Sequence, residues 1–595
     1  MSNSMIPEPI DTVQQRLAAI RDRAKAWHEQ GNLAEALKVH AEALELAPQA
    51  VNIWLSAARL AHAMNLQEVS LPHFEKAARL DPACYAAVDS ARRICIGVGL
   101  FERALHHSER AYELNPTEET RISLKLTVAS IAQSIDAIRE TRLRYEQGLD
   151  ELLASPLRLD APEGVLGISA FFLAYHGEND RRLQAKAARL FLQAIPSLAM
   201  TARHCLAGPR RPGKIRIGFI SRFFSSHSIF STSRGLIDKL SRDRFEVFAL
   251  RITPSREDEA TAQIRAAADH SLDLDMDIYR AREQIAALEL DILFYQDIGM
   301  ETTSYFLAFA RLASVQCVSF GHPNTTGIPT MDYFISSDLF ETADAASHYS
   351  EKLYLLQDVP TLAYYYKPSI PALPVSRETF GFSAETHLYV CPQTLYKLHP
   401  DFDELLRGIL SRDPRACVVL IAGQFEEFTL QLRERFARSM PAPAQRIVFL
   451  PRMAFDRFMQ LLGTADVILD TPHFNGMNSS LQSFAVGTPV VTLPTALQRG
   501  RHTQAMYRKM QIADGIATDP QHYIDIAVRI ATDRAYAQSL RERILSRNHV
   551  LFEDGRVVEE FERFFMVALR KTQGALKAES PVSMTYSVSF RTHGR

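Results

Sequence analysis

The chain has 595 residues, of which 47% are hydrophobic and 23% charged, with a formal net charge of −2. Such a length predicts several globular domains. The near-neutral balance argues against a dominant nucleic-acid or anionic-membrane surface, and no apolar run reaches the ~18 residues of a transmembrane helix.

The opening stretch, MSNSMIPEPIDTVQQ, lacks a basic segment followed by an apolar one, so no secretory leader is expected. Residues 1–14 read as flexible. Six cysteines, Cys84, Cys95, Cys205, Cys317, Cys391 and Cys417, are scattered without a C-x-x-C pair. They are expected to be core residues of a reduced, cytoplasmic protein.

A period follows. Pro48, Pro82 and Pro116 are 34 residues apart, as are Leu46, Leu80 and Leu114, and Ala43, Ala77 and Ala111. The turn positions Gly31, Asn65 and Gly99 keep the same step. A helix–turn–helix unit of ~34 residues is the tetratricopeptide signature, so about three repeats are predicted over residues 15–118. Such arrays present a concave surface suited to a protein partner. Residues 119–206 stay helical without the period and read as a connector. Then AGPRRPG, residues 207–213, has the composition of a domain boundary.

Beyond it, apolar strand-like runs alternate with helices. KIRIGFIS, FEVFALRI, DILFY and MDYFISSD form one series; HLYVCP, CVVLIAG, RIVFLP, ADVILD and PVVTLP form another. Runs of this kind predict parallel sheets covered on both faces. Two doubly wound, Rossmann-like domains are expected, over residues 207–375 and 376–572, with residues 573–595 a flexible tail. In open α/β sheets, ligands bind beyond the carboxyl ends of the strands, and two facing domains make the cleft between them the expected site.

Four strand-end segments supply candidate chemistry. In SRFFSSHSIFSTSRG, His227 stands among serines at a strand-to-helix loop, as a capping residue or as a functional one. In SFGHPNTTGIPTMDY, His322, Asn324, Thr325 and Thr326 offer donors and acceptors, or form a turn around a structural histidine. In CPQTLYKLHP, Lys397 is the one cation if His399 is neutral, and could neutralise a leaving phosphate. In DTPHFNGMNSSLQSF, Asn475, Gly476, Asn478, Ser479 and Ser480 precede a helix. They suit an ordinary N-cap, or an anion site at free backbone N–H groups. No G-x-x-x-x-G-K-[ST] pattern, dinucleotide fingerprint or zinc-ligand spacing is present, so no metal ligands are assigned. Asp273, Asp275 and Asp277 alternate like an acidic set, but read as an irregular stretch apart from these segments.

Taken together, the blocks KIRIGFISRFFSSHSI, RDRFEVFAL, GHPNTTGIPTMDY, LYKLHPDF, ADVILDTPHFNG and GTPVVTLP resemble the protein O-GlcNAc transferase (SPINDLY-like) family. The versions SSHSI and GHPNTT also resemble the bacterial adhesin N-glucosyltransferases, a sister branch. The likeness covers about residues 210–570 plus the repeats. It implies a GT-B fold and a metal-independent, inverting glycosyltransferase. Such an enzyme moves a sugar from a nucleoside diphosphate to a protein side chain, with no cofactor beyond the UDP-sugar donor.

By the resemblance, His227 matches the active-site histidine and Lys397 the lysine on the diphosphate, reaching it from the side opposite the helix start. Asn478, Ser479 and Ser480 match the phosphate-binding helix start. Gln482 stands where an aspartate usually binds ribose, Phe458 roughly where a uracil-contacting histidine is expected, and Thr394 where a glutamine is expected. The resemblance implies transfer of GlcNAc from UDP-GlcNAc to Ser/Thr of proteins held by the repeats and the cleft, without nucleic acid or membrane insertion. Transfer of glucose to Asn, transfer of another sugar to a flagellin or adhesin, and a non-catalytic repeat scaffold are the competing readings. Oligomeric state stays open.

Overall fold

The computed structural model describes residues 10–64, 66–155, 157–160, 162, 170–206, 212–373 and 375–578. Eight helices come first: α1 (Ile10–Glu29), α2 (Leu33–Leu46), α3 (Val51–Ala63), α4 (Gln67–Leu80), α5 (Tyr85–Val98), α6 (Phe101–Leu114), α7 (Glu118–Leu126) and α8 (Ile135–Leu153). Because α2, α4 and α6 begin at Leu33, Gln67 and Phe101, the sequence period is also the structural one. Ala36, Ala58, Ala77, Ala91, Ala104 and Ala111 are wholly buried between helices, where small side chains let neighbours approach closely. The pair α7 and α8 continues the stack after the period lapses. Helix α1 starts at Ile10, so residues 10–14 are helical rather than flexible. Residues 1–9, the turn residue Asn65 and residues 207–211 of the linker lie outside the described residues.

Two parallel sheets follow. The first holds β1 (Ile215–Ser221), β2 (Phe245–Ile252), β3 (His270–Leu274), β4 (Leu290–Tyr295), β5 (Ala313–Val318), β6 (Tyr333–Ser337) and β7 (Lys352–Leu356) in the order β3-β2-β1-β4-β5-β6-β7. The second holds β8 (His387–Cys391), β9 (Ala416–Ile421), β10 (Ile447–Leu450), β11 (Val467–Leu469) and β12 (Val490–Val491) in the order β10-β9-β8-β11-β12. Strand order reverses between β1 and β4, and again between β8 and β11. Those two points are where an α/β sheet opens a crevice for ligand.

Alternation along each strand divides its residues between two cores. Ile217, Phe219, Val247, Ala249, Ile292 and Phe294 face one; Ile220, Phe248, Leu250, Leu293 and Tyr295 face the other. The first of these cores is closed by the last helix, Gly555–Ala578, whose Phe561, Phe564 and Phe565 pack among Phe245, Phe294 and Tyr333. The chain therefore returns from the second domain to finish the first, which a division at residue 375 does not show. This helix also runs past Gly574 to Ala578, since one glycine costs a helix only ~1 kcal/mol.

The acidic run is not irregular. Asp273 lies on edge strand β3 and pairs with Arg251 at 2.5 Å, while Asp277 caps the helix Ile278–Ala287 through the N–H groups of Tyr279 and Arg280. All six cysteines are free, but Cys84 and Cys205 are only half-buried rather than core. The helical stack is fastened to the second domain, the repeats through Arg103 and the connector through Ala132. Arg103 pairs with Glu427, and Arg435, itself paired with Asp403 at 2.8 Å, donates to the Ala132 carbonyl at 2.6 Å. Among the described residues no helix is long and apolar enough to cross a membrane.

Candidate active site

A cleft of about 610 Å3 opens between the carboxyl ends of the two sheets, and both switch points contribute to its wall. Four loops and the connector build it.

From β1, the chain turns through Ser221, whose hydroxyl donates to Asp297 at 2.5 Å. Asp297 follows β4, so this bond joins the two strands of the switch point. Burial pushes the Asp297 carboxyl up to about 8. His227 then caps the helix Ser228–Lys239. Its Nδ1 accepts the Ile229 N–H at 3.2 Å, and its ring stacks on Phe223 at 4.5 Å. Burial pushes the imidazole down to about 4, so it is neutral at pH 7. With Nδ1 accepting, the single proton sits on Nε2. His227 is thus both a cap and a lining residue, and it offers a donor rather than a base.

From the loop after β5, His322 lines the cleft, stacked on Phe171 of the connector at 4.8 Å. Burial pushes it down to about 3. Asn324 and Thr325 do not line the cleft. Asn324 donates to Asp180 at 3.0 Å, and Thr325 donates to Glu351 at 2.7 Å, so both hold the loop from behind. Asp180 also pairs with Arg499 at 3.1 Å. Connector, first domain and second domain meet at these three residues.

From β8, Lys397 ends a short 3-10 turn. Its Nζ donates to Gln393 Oε1 at 3.0 Å and to the Asn475 carbonyl at 3.2 Å, and it stands 4.7 Å over the Phe474 ring. Burial pushes it down to about 8, opposed by the Asp470 carboxylate. Gln393 passes the link onward, donating from Nε2 to Ser479 Oγ at 2.7 Å. Lys397 therefore sits beside the helix start, in the same domain, and not across the cleft from it. Thr394 lines the rim.

From β11, Asp470 turns the chain by accepting the Gly476 N–H at 2.7 Å and the Thr492 hydroxyl at 2.9 Å. Burial pushes Asp470 up to about 6. A β-carbon on Gly476 would stand 2.2 Å from Ser479 Oγ and 2.3 Å from Gln393 Nε2, so a larger residue would push this hydrogen-bonded pair aside. The helix Asn478–Ala485 then begins with Met477 at the capping position and no side-chain cap. Its first N–H groups are left for another acceptor, which favours the anion site over the ordinary N-cap. Asn475, Asn478, Ser479, Gln482 and, from another helix, Phe458 line the cleft. Ser480 does not; its hydroxyl donates to the Gly476 carbonyl at 2.9 Å and meets Thr503 at 2.8 Å.

Several lining residues carried little sequence signal. Phe171 and Tyr175 come from the connector, and His502 starts the helix His502–Lys509. Gln393 was legible only by its place two residues beyond β8. Among the described residues, His322 Nε2, both ring nitrogens of His502, Asn475 Oδ1 and Asn478 Oδ1 are buried without a protein partner. Burial pushes His502 down to about 3, with Lys397 adding to the effect. The cleft thus combines one cation, an uncapped helix start and neutral polar atoms. It can hold an anion beside a polyhydroxyl group.

Comparison with known proteins agrees with this geometry. The description of glycosyl transferase family 41 matches residues 170–362 and 368–556. A probable UDP-N-acetylglucosamine–peptide N-acetylglucosaminyltransferase, SEC of Arabidopsis thaliana, is 24% identical over 367 residues, covering 59% of this chain and 37% of its own. A UDP-glucose:protein N-beta-glucosyltransferase of Actinobacillus pleuropneumoniae serotype 5b is 24% identical over 348 residues, covering 57% of this chain and 54% of its own. The chain thus spans about a third to a half of these curated relatives. A solved structure of a Thermobaculum terrenum O-GlcNAc transferase mutant superposes with a TM-score of 0.67 and 22% identity, over 96% of this chain and all of that one. At that identity the match concerns the fold: helical repeats followed by a two-sheet GT-B architecture. With both α/β domains and the cleft between them matched, the chain belongs to glycosyl transferase family 41.

Proposed function

We propose that this chain transfers a sugar from a nucleoside diphosphate donor to a protein side chain, with inversion and without a catalytic metal. The observation that carries the reading is the link Lys397–Gln393–Ser479, which sets a cation against an uncapped helix start inside the cleft. Together they stabilise the charge that develops on the departing diphosphate, the task a divalent cation performs elsewhere. The orphaned atoms of His322, His502, Asn475 and Asn478 meet the hydroxyls and phosphate oxygens of the donor. Gln482 faces the ribose and Phe458 the base. His227 donates from Nε2 to the acceptor or the donor, and a donor phosphate oxygen takes the proton of the attacking group.

The relatives SEC and SPINDLY of Arabidopsis thaliana, both described as probable peptide N-acetylglucosaminyltransferases, support GlcNAc as the sugar and a polypeptide as the acceptor, and we take Ser/Thr as the residue modified. The N-glucosyltransferase match keeps glucose on Asn as the second reading. A panel of UDP-GlcNAc, UDP-glucose and other nucleotide sugars, assayed for hydrolysis and transfer in EDTA, tests the proposal. Mass spectrometry of the modified residue separates the two readings. Absence of turnover with every donor, or turnover restored only by added cation, refutes it.

A further inference from the structure

No metal-ligand spacing is visible in the sequence, yet folding brings His399, Asp401 and His473 together. His399 lies two residues beyond Lys397 and caps the helix Pro400–Arg412. His473 lies on the loop after β11, two residues before Asn475. His473 Nε2 is 2.8 Å from Asp401 Oδ2, and His399 Nδ1 is 3.4 Å from the same oxygen. The two imidazoles meet edge to face with centroids 4.3 Å apart.

Two constraints hold His473 in this position. Its φ is 68°, in the left-handed region that residues with a β-carbon avoid. Gly177 of the connector, itself at φ 73°, packs on the ring so closely that a β-carbon there would stand 2.9 Å from His473 Cγ. A surface histidine pairing loosely with an aspartate would need neither constraint.

We propose that His399, Asp401 and His473 form a site for a divalent transition cation of the zinc type, which staples the loop after β8 to the loop after β11. Tetrahedral coordination at ~2.0–2.1 Å sets ligand atoms ~3.3 Å apart, within the span of the two distances observed to Asp401. Two imidazoles and one carboxylate suit zinc, cobalt or nickel rather than magnesium or calcium. The Asp401 side chain is 51% exposed, which leaves a path for the ion and room for water as a fourth ligand. His399 Nδ1 accepts the Asp401 N–H at 3.2 Å, so the nitrogen is unprotonated, and coordination displaces that one long hydrogen bond. The flanking residues Lys397 and Asn475 would be stiffened without touching the ion.

A second grouping, Glu75, Cys95 and His107, is a poorer host. Arg103 already pairs with Glu75 there at 2.9 Å, and its charge repels a cation.

The test uses the full chain, metal-free and without a histidine tag. Calorimetry with Zn2+ and visible spectroscopy with Co2+ should show one equivalent bound, ligand-field bands and a raised melting temperature that EDTA reverses. His473→Ala and Asp401→Asn should each weaken Zn2+ binding by about tenfold or more and remove the Co2+ bands. His399→Asn, which keeps a capping side chain, is a third variant should either of these fail to fold. UDP binding, measured separately, reports folding of the cleft and would fail alone if the donor reading were wrong. Absence of Zn2+ binding below about 1 mM in the parent, or unchanged affinity in a folded variant, overturns the proposal.

Discussion

Lys397 donates to the main-chain carbonyl of Asn475 at 3.2 Å, tying the cation of one strand loop to the backbone of the next. The Asn475 N–H in turn donates to the Arg499 carbonyl at 2.6 Å, and Arg499 pairs with Asp180 of the connector. The position of the cation is thus tied through the second domain to the connector.

Lys397→Ala should cut turnover about a hundredfold, the ~3 kcal/mol of one lost electrostatic contact, while the melting temperature stays near the parent's. Near-normal turnover in the folded variant would remove Lys397 from the chemistry.

The pH dependence follows from the same residue. Burial lowers Lys397 to about 8, and only its protonated form can stabilise the diphosphate. Since kcat/KM reports the free enzyme, it should fall as pH rises through about 8. A profile level to pH 10 would contradict this.

His227 should behave as a donor. With the ring lowered to about 4 it is already neutral at pH 5.5, so kcat/KM should show no rise near pH 6.5. His227→Gln, which keeps an N–H, should retain about three to ten times the activity of His227→Ala, the range expected of one hydrogen bond. An acid limb near pH 6.5 that His227→Gln abolishes would identify a base instead.

Gln482→Asp should strengthen uridine binding, because a carboxylate only accepts and suits ribose hydroxyls, whereas an amide also donates. UDP should gain less, since the new charge repels the phosphates. Unchanged affinity for both, by calorimetry, would place Gln482 away from the ribose.

Deleting residues 1–118 should impair protein glycosylation more than UDP binding. The truncation loses the Arg103–Glu427 pair but keeps Ala132, which Arg435 holds, so the second domain retains one of its contacts with the helical stack. Equal glycosylation of a protein target by the truncated and full-length forms would show that the repeats do not present the acceptor.

The repeats and most strands were legible because their signals are local: a fixed helical step, and apolar runs bounded by turns. The edge strand β3 was not. Its sequence, HSLDL, is half polar because Asp273 faces Arg251 and not a core. At the site, Lys397 and His227 were legible from their place at strand ends. The inward turn of Asn324 and Thr325 was not, since it depends on Asp180 and Glu351, 144 and 26 residues away along the chain. Phe171, Tyr175 and His502 lacked a signal for the same reason; distant segments carry them to the cleft.

The last helix also fixes an order of events during synthesis. The first sheet is translated by Leu356, and Leu236, Ile237, Leu240 and Ile264 already pack on the face carrying Phe245 and Phe294, yet that core is completed only once Phe561 and Phe565 emerge, roughly 200 residues later. At ~5–20 residues per second that interval is roughly 10–40 s. Throughout it the nascent chain carries an incompletely covered apolar face, so the first domain finishes its core only after the second has been translated. A stop codon between residues 503 and 555 should therefore yield an aggregating product, even though every cleft residue would already be present.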